Sequence, residues 1–113
     1  MDSEPQVINN QPAGQFEVHV DGHVGLLTYG VHGESLLLSH TEVPKAIGGR
    51  GLAAKLTTHA LAYAEEQGLL VIPVCPYVAQ YIRDNPKHTV QVPAYLHRSF
   101  RLVSPDQPVS EAQ

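Results

Sequence analysis

What this chain has little of narrows it first. A single cysteine, Cys75, rules out an internal disulfide, and a free thiol sits best in a reducing compartment. Hydrophobic residues make up 42% of the 113 positions. None of their runs approaches the roughly 20 residues needed to cross a bilayer. The start, Met1-Asp2-Ser3-Glu4-Pro5, lacks the basic residues of a signal peptide. A soluble, cytoplasmic protein with no membrane partner is the expectation. Lysine and arginine form no cluster: residues 15–102 hold all seven, matched there by seven acidic residues, while Asp2, Glu4, Asp106 and Glu111 charge the ends. Binding a phosphate backbone depends on clustered cations, so nucleic acid is not the expected partner. The histidines (His19, His23, His32, His40, His59, His88 and His97) lack tight ligand spacing, which argues against a metal site. No internal repeat is visible.

The pattern that is present reads as one domain over 15–102, with 1–14 and 103–113 as disordered tails rich in Pro, Gln, Ser and Asn. Phe16, Val18 and Val20 alternate with Glu17 and His19, as in a half-buried strand, and Asp21-Gly22 supplies a tight hairpin turn. A second strand is expected over 23–29. After the turn Gly30 to Gly33, a third, more buried strand is expected over 34–41, so the N-terminal half reads as an antiparallel meander. The period then changes. Leu52, Leu56, Ala60 and Ala64 recur every fourth residue up to Gly68, as on an amphipathic helix. Leu69 to Val74 reads as a buried strand parallel to an earlier one, with Pro73 predicting that it parts from its neighbour. Pro76 suits the first turn of a second helix that Asn85-Pro86 stops. The stretch from His88 to Phe100 fits no single element.

The most telling segment is Val43-Pro-Lys-Ala-Ile-Gly-Gly-Arg-Gly-Leu-Ala53, where glycines and an arginine run into the helix. A helix N-terminus carries unpartnered N–H groups and the positive end of a dipole, so it favours an anion. Gly48, Gly49 and Gly51 allow close backbone approach, and Arg50 adds a cation. By itself this predicts only some phosphate-bearing ligand or a plain turn.

Three motifs in order, His40-Thr-Glu-Val-Pro44, Gly48-Gly-Arg-Gly-Leu-Ala53 and Cys75-Pro-Tyr-Val-Ala-Gln-Tyr-Ile-Arg-Asp-Asn-Pro86, resemble the small single-domain branch of the GNAT acetyltransferase superfamily. The likeness spans about residues 16–97 and implies an α+β (mixed α/β) fold. That fold has an N-terminal antiparallel meander, a central helix after the glycine-rich loop, a splayed strand and a second helix. It also implies acetyl-CoA as co-substrate and an amine, on a small molecule or a protein, as acceptor. On matching positions, the pyrophosphate would rest on Gly48, Gly49, Arg50, Gly51, Leu52 and Ala53, and the pantetheine along Thr41, Glu42 and Val43. The family's loop usually opens with Gln or Arg, where this chain has Gly48.

Acetyl transfer from a thioester to an amine needs a deprotonated amine, a stabilised oxyanion and a proton for the leaving thiol. Cys75 stands before Pro76 at the expected helix start, where the dipole favours a thiolate. It reads as an acid, as a nucleophile passing through an acetyl-cysteine, or as a small buried core residue. His40 ends the third strand. It reads as a catalytic imidazole taking the amine's proton or, since period two aligns it with Leu36 and Leu38, as a hydrogen-bonded interior histidine. Tyr77 and Tyr81, one helical turn apart, line a groove or pack in the core. A non-catalytic CoA-binding or sensing module, or an interaction protein keeping only the fold, are the alternative functions.

Overall fold

A computed structural model describes residues 5–102. The expected tails at 1–4 and 103–113 lie outside them. Five strands form one sheet in sequence order: β1 (Val7–Asn10), β2 (Gln15–Val20), β3 (His23–His32), β4 (Ser35–Glu42) and β5 (Leu70–Pro73). The first four are antiparallel neighbours, and β5 joins β4 in parallel. The crossover between β4 and β5 runs through α1 (Leu52–Gln67), and α2 (Pro76–Asp84) follows β5. This is the mixed α/β, GNAT-like architecture.

Local chemistry explains most boundaries. At the β2–β3 turn Asp21 and Gly22 both adopt positive φ, 50° and 80°, the conformation a two-residue hairpin with matching twist requires. Helix α1 closes at Gly68, whose N–H reaches the carbonyls of Ala64 and Glu65, and Pro76 occupies the first turn of α2, where its missing N–H costs nothing. The residues from 86 to 96 fold as two short 3-10 turns, Pro86–Gln91 and Ala94–Leu96. They are held by Gln91 Nε2 donating to the Leu61 carbonyl at 2.9 Å and by buried Val92. Arg83 Nη1 donates to the Phe100 carbonyl at 2.7 Å, tying the end of the described chain to α2.

The stretch 1–14, expected as a tail, instead carries strand β1 followed by a 3-10 turn at Gln11–Ala13. Its Pro, Gln and Asn content misleads because the segment buries little surface itself. It is held by its ladder to β2 and by side chains, with Tyr29 Oη donating to Asn9 Oδ1 at 2.6 Å.

The core lies between one sheet face and the helices: Phe16, Val18, Leu27, Leu36, Leu38, Leu56, Ala60, Val71, Val78 and Ile82 are fully buried. Both helices pack on that face, and the hydroxyls of Thr58 in α1 and Tyr81 in α2 lie 3.0 Å apart. The opposite face is open to solvent over much of its area, with Ile8, His19, Ser39, His40 and Glu42 all exposed. Glu17 is the exception there. Asn10 Nδ2 and Gln15 Nε2 donate to its carboxylate at 2.8 and 2.6 Å, and His19 Nε2 lies 2.9 Å from it. These hydrogen bonds, Gln15's first, hold its pKa at about 2, well below the usual carboxylate range.

Candidate active site

The site begins where β4 and β5 part. Their parallel pairing stops at Leu38 opposite Pro73, yet β4 continues to Glu42, so its last four residues have no sheet neighbour on the β5 side. The cause differs from the one Pro73 suggests in the sequence. Leu70 N–H donates to the Glu34 carbonyl, and donors on a strand alternate sides, so the N–H that Pro73 lacks would have pointed away from β4. The chain leaves the sheet because Val74 N–H turns back to the Ile72 carbonyl at 3.0 Å and Pro76 then starts α2. A last bond, Cys75 N–H to the Leu38 carbonyl at 2.8 Å, pins the vertex of the opening.

A bulge in β4 decides what faces this opening. Thr28 pairs with His40 but Tyr29 with Leu38, so Ser39 is an extra residue. A bulge of this kind bends its strand and re-aims the side chains beyond it. His40 therefore leaves the phase of Leu36 and Leu38 and emerges on the open face, where its Nε2 lies 3.4 Å from Glu42 Oε1 and both side chains are more than 60% exposed. The interior histidine that simple alternation predicts is not formed. Thr41 takes the inward place instead. It pairs with buried Leu27, and its Oγ1 lies 3.2 Å from the sulfur of Cys75, which is 3% exposed. Cys75 and His40 thus flank β4 from opposite faces.

The glycine-rich loop joins β4 to α1 through a 3-10 turn at Lys45–Ile47, anchored by fully buried Ile47. Gly49 and Gly51 adopt φ of 75° and 73°, with open space where a Cβ would stand. A side chain there would strain the backbone and block the approach to the helix end. Gly48 differs: its φ of −73° suits any residue, so its conformation does not account for the missing Gln or Arg. Gly51 is the N-cap of α1 and no side chain caps that end, which leaves the first-turn N–H groups for another acceptor. Beside the loop is a groove of about 310 Å³ whose lining includes Val43, Lys45, Gly48, Gly49, Ala53 and Tyr77.

The individual side chains divide. Leu52 enters the core and Val43 packs against it. Glu42 lies with His40 on the open face. Arg50 reaches back to the β2–β3 turn, donating from Nη1 to Asp21 Oδ2 at 3.1 Å, and both side chains are exposed. Tyr77 opens into the groove, with burial pushing its hydroxyl pKa up ahead of smaller effects from Tyr81 and Asp84, whereas Tyr81 bridges the helices. Lys45 is the residue the motif reading passed over. Its signal was one cation inside the turn between Pro44 and Gly48.

Comparison with known proteins fits this geometry. The profile of the family described as GCN5-related N-acetyl-transferase matches residues 15–92. The chain belongs to that family. It is also similar to proteins called NATD1. The human one is 37% identical over 87 residues, 74% of this chain and 73% of the relative. The mouse one is 34% identical over 96 residues, covering 82% and 83%, and the chicken one 35% over 94, covering 80% and 81%. The match to the GCN5-related family takes in the open strand end, the glycine loop and Cys75, and leaves β1 outside. Among the described residues no helix is long and apolar enough to cross a membrane.

Proposed function

We propose that the protein is an acetyl-CoA-dependent N-acetyltransferase whose acceptor is an amine. The observation that carries this reading is the release of Ser39–Glu42 from β5 directly before a glycine loop and an uncapped helix end. A pantetheine arm carries amide groups and needs an unpaired strand edge, which residues 39–43 provide. A pyrophosphate needs converging N–H groups, and the positive φ of Gly49 and Gly51 ahead of the uncapped first turn at Leu52 and Ala53 supports a site for it there. Lys45 borders the same groove, and Arg50 adds charge once it leaves Asp21. That exchange is cheap, because an exposed ion pair contributes about 1 kcal/mol or less.

In this reading the thioester lies at the vertex of the opening, near Cys75. The amine approaches from the open face, where His40, beside Glu42, takes its proton. The new carbon–nitrogen bond forms, the carbon–sulfur bond breaks, and the departing thiolate of CoA takes up a proton. Where Cys75 is the nucleophile, the acetyl group resides on its sulfur between the two halves.

Free-thiol release from acetyl-CoA, measured against polyamines, amino acids and protein amines, tests the activity. Turnover with at least one amine is expected. CoA binding by calorimetry without turnover on any amine would convert the reading to a non-catalytic CoA module, and no binding at about millimolar CoA would remove both. Intact mass after acetyl-CoA treatment tests the sulfur: an acetyl group gained by the wild type and absent in Cys75→Ala supports the covalent route, while equal labelling removes it. An unchanged pH–rate profile in His40→Ala would sink the role given to that imidazole.

A further inference from the structure

The released half of β4 offers two candidates to stand over the Cys75 sulfur, and the bulge selects between them. Regular alternation from Leu36 and Leu38 would turn His40 toward the helices and Thr41 toward solvent. With Ser39 inserted opposite Thr28, Thr41 pairs with Leu27 and its Oγ1 comes to 3.2 Å from Sγ. Thr41 is the one side chain found within hydrogen-bond distance of that sulfur among the described residues. Groups that could otherwise act on it are placed elsewhere. On β4, His40 and Glu42 face the other side of the sheet. In the loop, Lys45 borders the groove and Arg50 holds Asp21. On α2, Tyr77 opens into the groove, Tyr81 meets Thr58, Arg83 meets Gln80 and the Phe100 carbonyl, and Asp84 meets Gln80.

We propose that Thr41 is the positioning residue of Cys75: its hydroxyl donates a hydrogen bond to the sulfur, fixing the side-chain rotamer at the released end of β4. A thiolate has no proton to donate, so the O–H is the only hydrogen of the pair, and it stabilises the sulfur most when the sulfur is charged. The inference rests on the reading of Cys75 as a residue of the transfer site, but it is a statement about the sulfur itself. It can be tested without any acetyl donor.

The experiment is alkylation of the free protein by iodoacetamide, followed by intact mass. Cys75 is the chain's only thiol. Its sulfur–carbon bond forms as iodide leaves, and the thiol proton passes to buffer. Thr41→Val keeps the branched shape and puts a methyl group in place of the hydroxyl. It is expected to slow alkylation about tenfold, or about 1.4 kcal/mol of activation free energy, with Thr41→Ser within about twofold of wild type. An unchanged rate in Thr41→Val, or Thr41→Ser as slow as Thr41→Val, overturns the proposal. Loss of folding cannot imitate the expected result, because exposing a buried thiol speeds its alkylation. In acetyl transfer, Thr41→Val should lower kcat and Thr41→Ser should restore it. Should alkylation respond as expected while Cys75→Ala transfers acetyl groups normally, the positioning stands and the role given to Cys75 falls.

Discussion

The two halves of β4 are one strand with two neighbourhoods. From Ser35 to Leu38 it is laddered on both sides, and Leu36 and Leu38 are fully buried. From Ser39 to Glu42 only β3 remains beside it, and exposed residues alternate with one, Thr41, that reaches a sulfur. The first half fixes where the strand lies, and the second has no strand partner on its β5 side. A rigid, fully paired segment leading into a half-paired one is how a small domain can present an open edge without losing the strand's position.

Substitutions in the first half should act on stability and those in the second on binding. The largest effect is expected for Leu38→Ala, which empties a fully buried site at the last paired position and should cost about 2–5 kcal/mol in denaturant unfolding. A loss under about 1 kcal/mol would break the distinction between the halves. Acid titration comes next, through the cross-strand row that joins Glu17 to Leu26 and then to Glu42. The Glu17 pKa is lowered from 4.5 to about 2 in the fold. Its contribution is therefore complete above pH 4.5 and disappears as the pH falls toward 2. Stability of the wild type should drop across that window and that of Glu17→Gln should drop less; parallel curves would discount the role of its hydrogen bonds. Gly51→Ala forces a side chain into the left-handed conformation at the head of α1, a cost of about 1–2 kcal/mol. CoA affinity by calorimetry should weaken at least as much, since the Cβ stands at the anion approach. Smallest is Arg50→Ala, expected to change stability by less than about 1 kcal/mol while still reducing CoA affinity. Loss of stability without loss of affinity would make Arg50 a partner of Asp21 alone.

Much of this arrangement was legible in the residues. The helix from Leu52 to Gly68, the start of α2 at Pro76, the hairpin at Asp21-Gly22 and the glycine loop each depend on local chemistry, and each appears where its signal lies. That Cys75 stands between a strand and the start of a helix followed from order along the chain. What escaped depends on neighbours distant in sequence. Strand β1 exists because β2 offers it a ladder. The Ser39 bulge is a mismatch in counting between two strands, invisible in either one, and it exchanges the expected places of His40 and Thr41. Pro73 had the right location for the parting but the wrong reason, since the side toward which a strand's N–H points is set by its pairing.

Thr41 and Cys75 are 34 positions apart, with the whole of α1 and β5 between them. Closing a loop of that length carries a chain-entropy cost, which the β4–β5 ladder and the packed crossover helix share in offsetting. The contact over the sulfur therefore depends on the same chain closure that pairs β4 with β5, from Ser35 with Leu70 to Leu38 with Pro73. A hydroxyl and a sulfur from opposite ends of the crossover thus meet at one point, and the geometry at a single atom depends on everything between them.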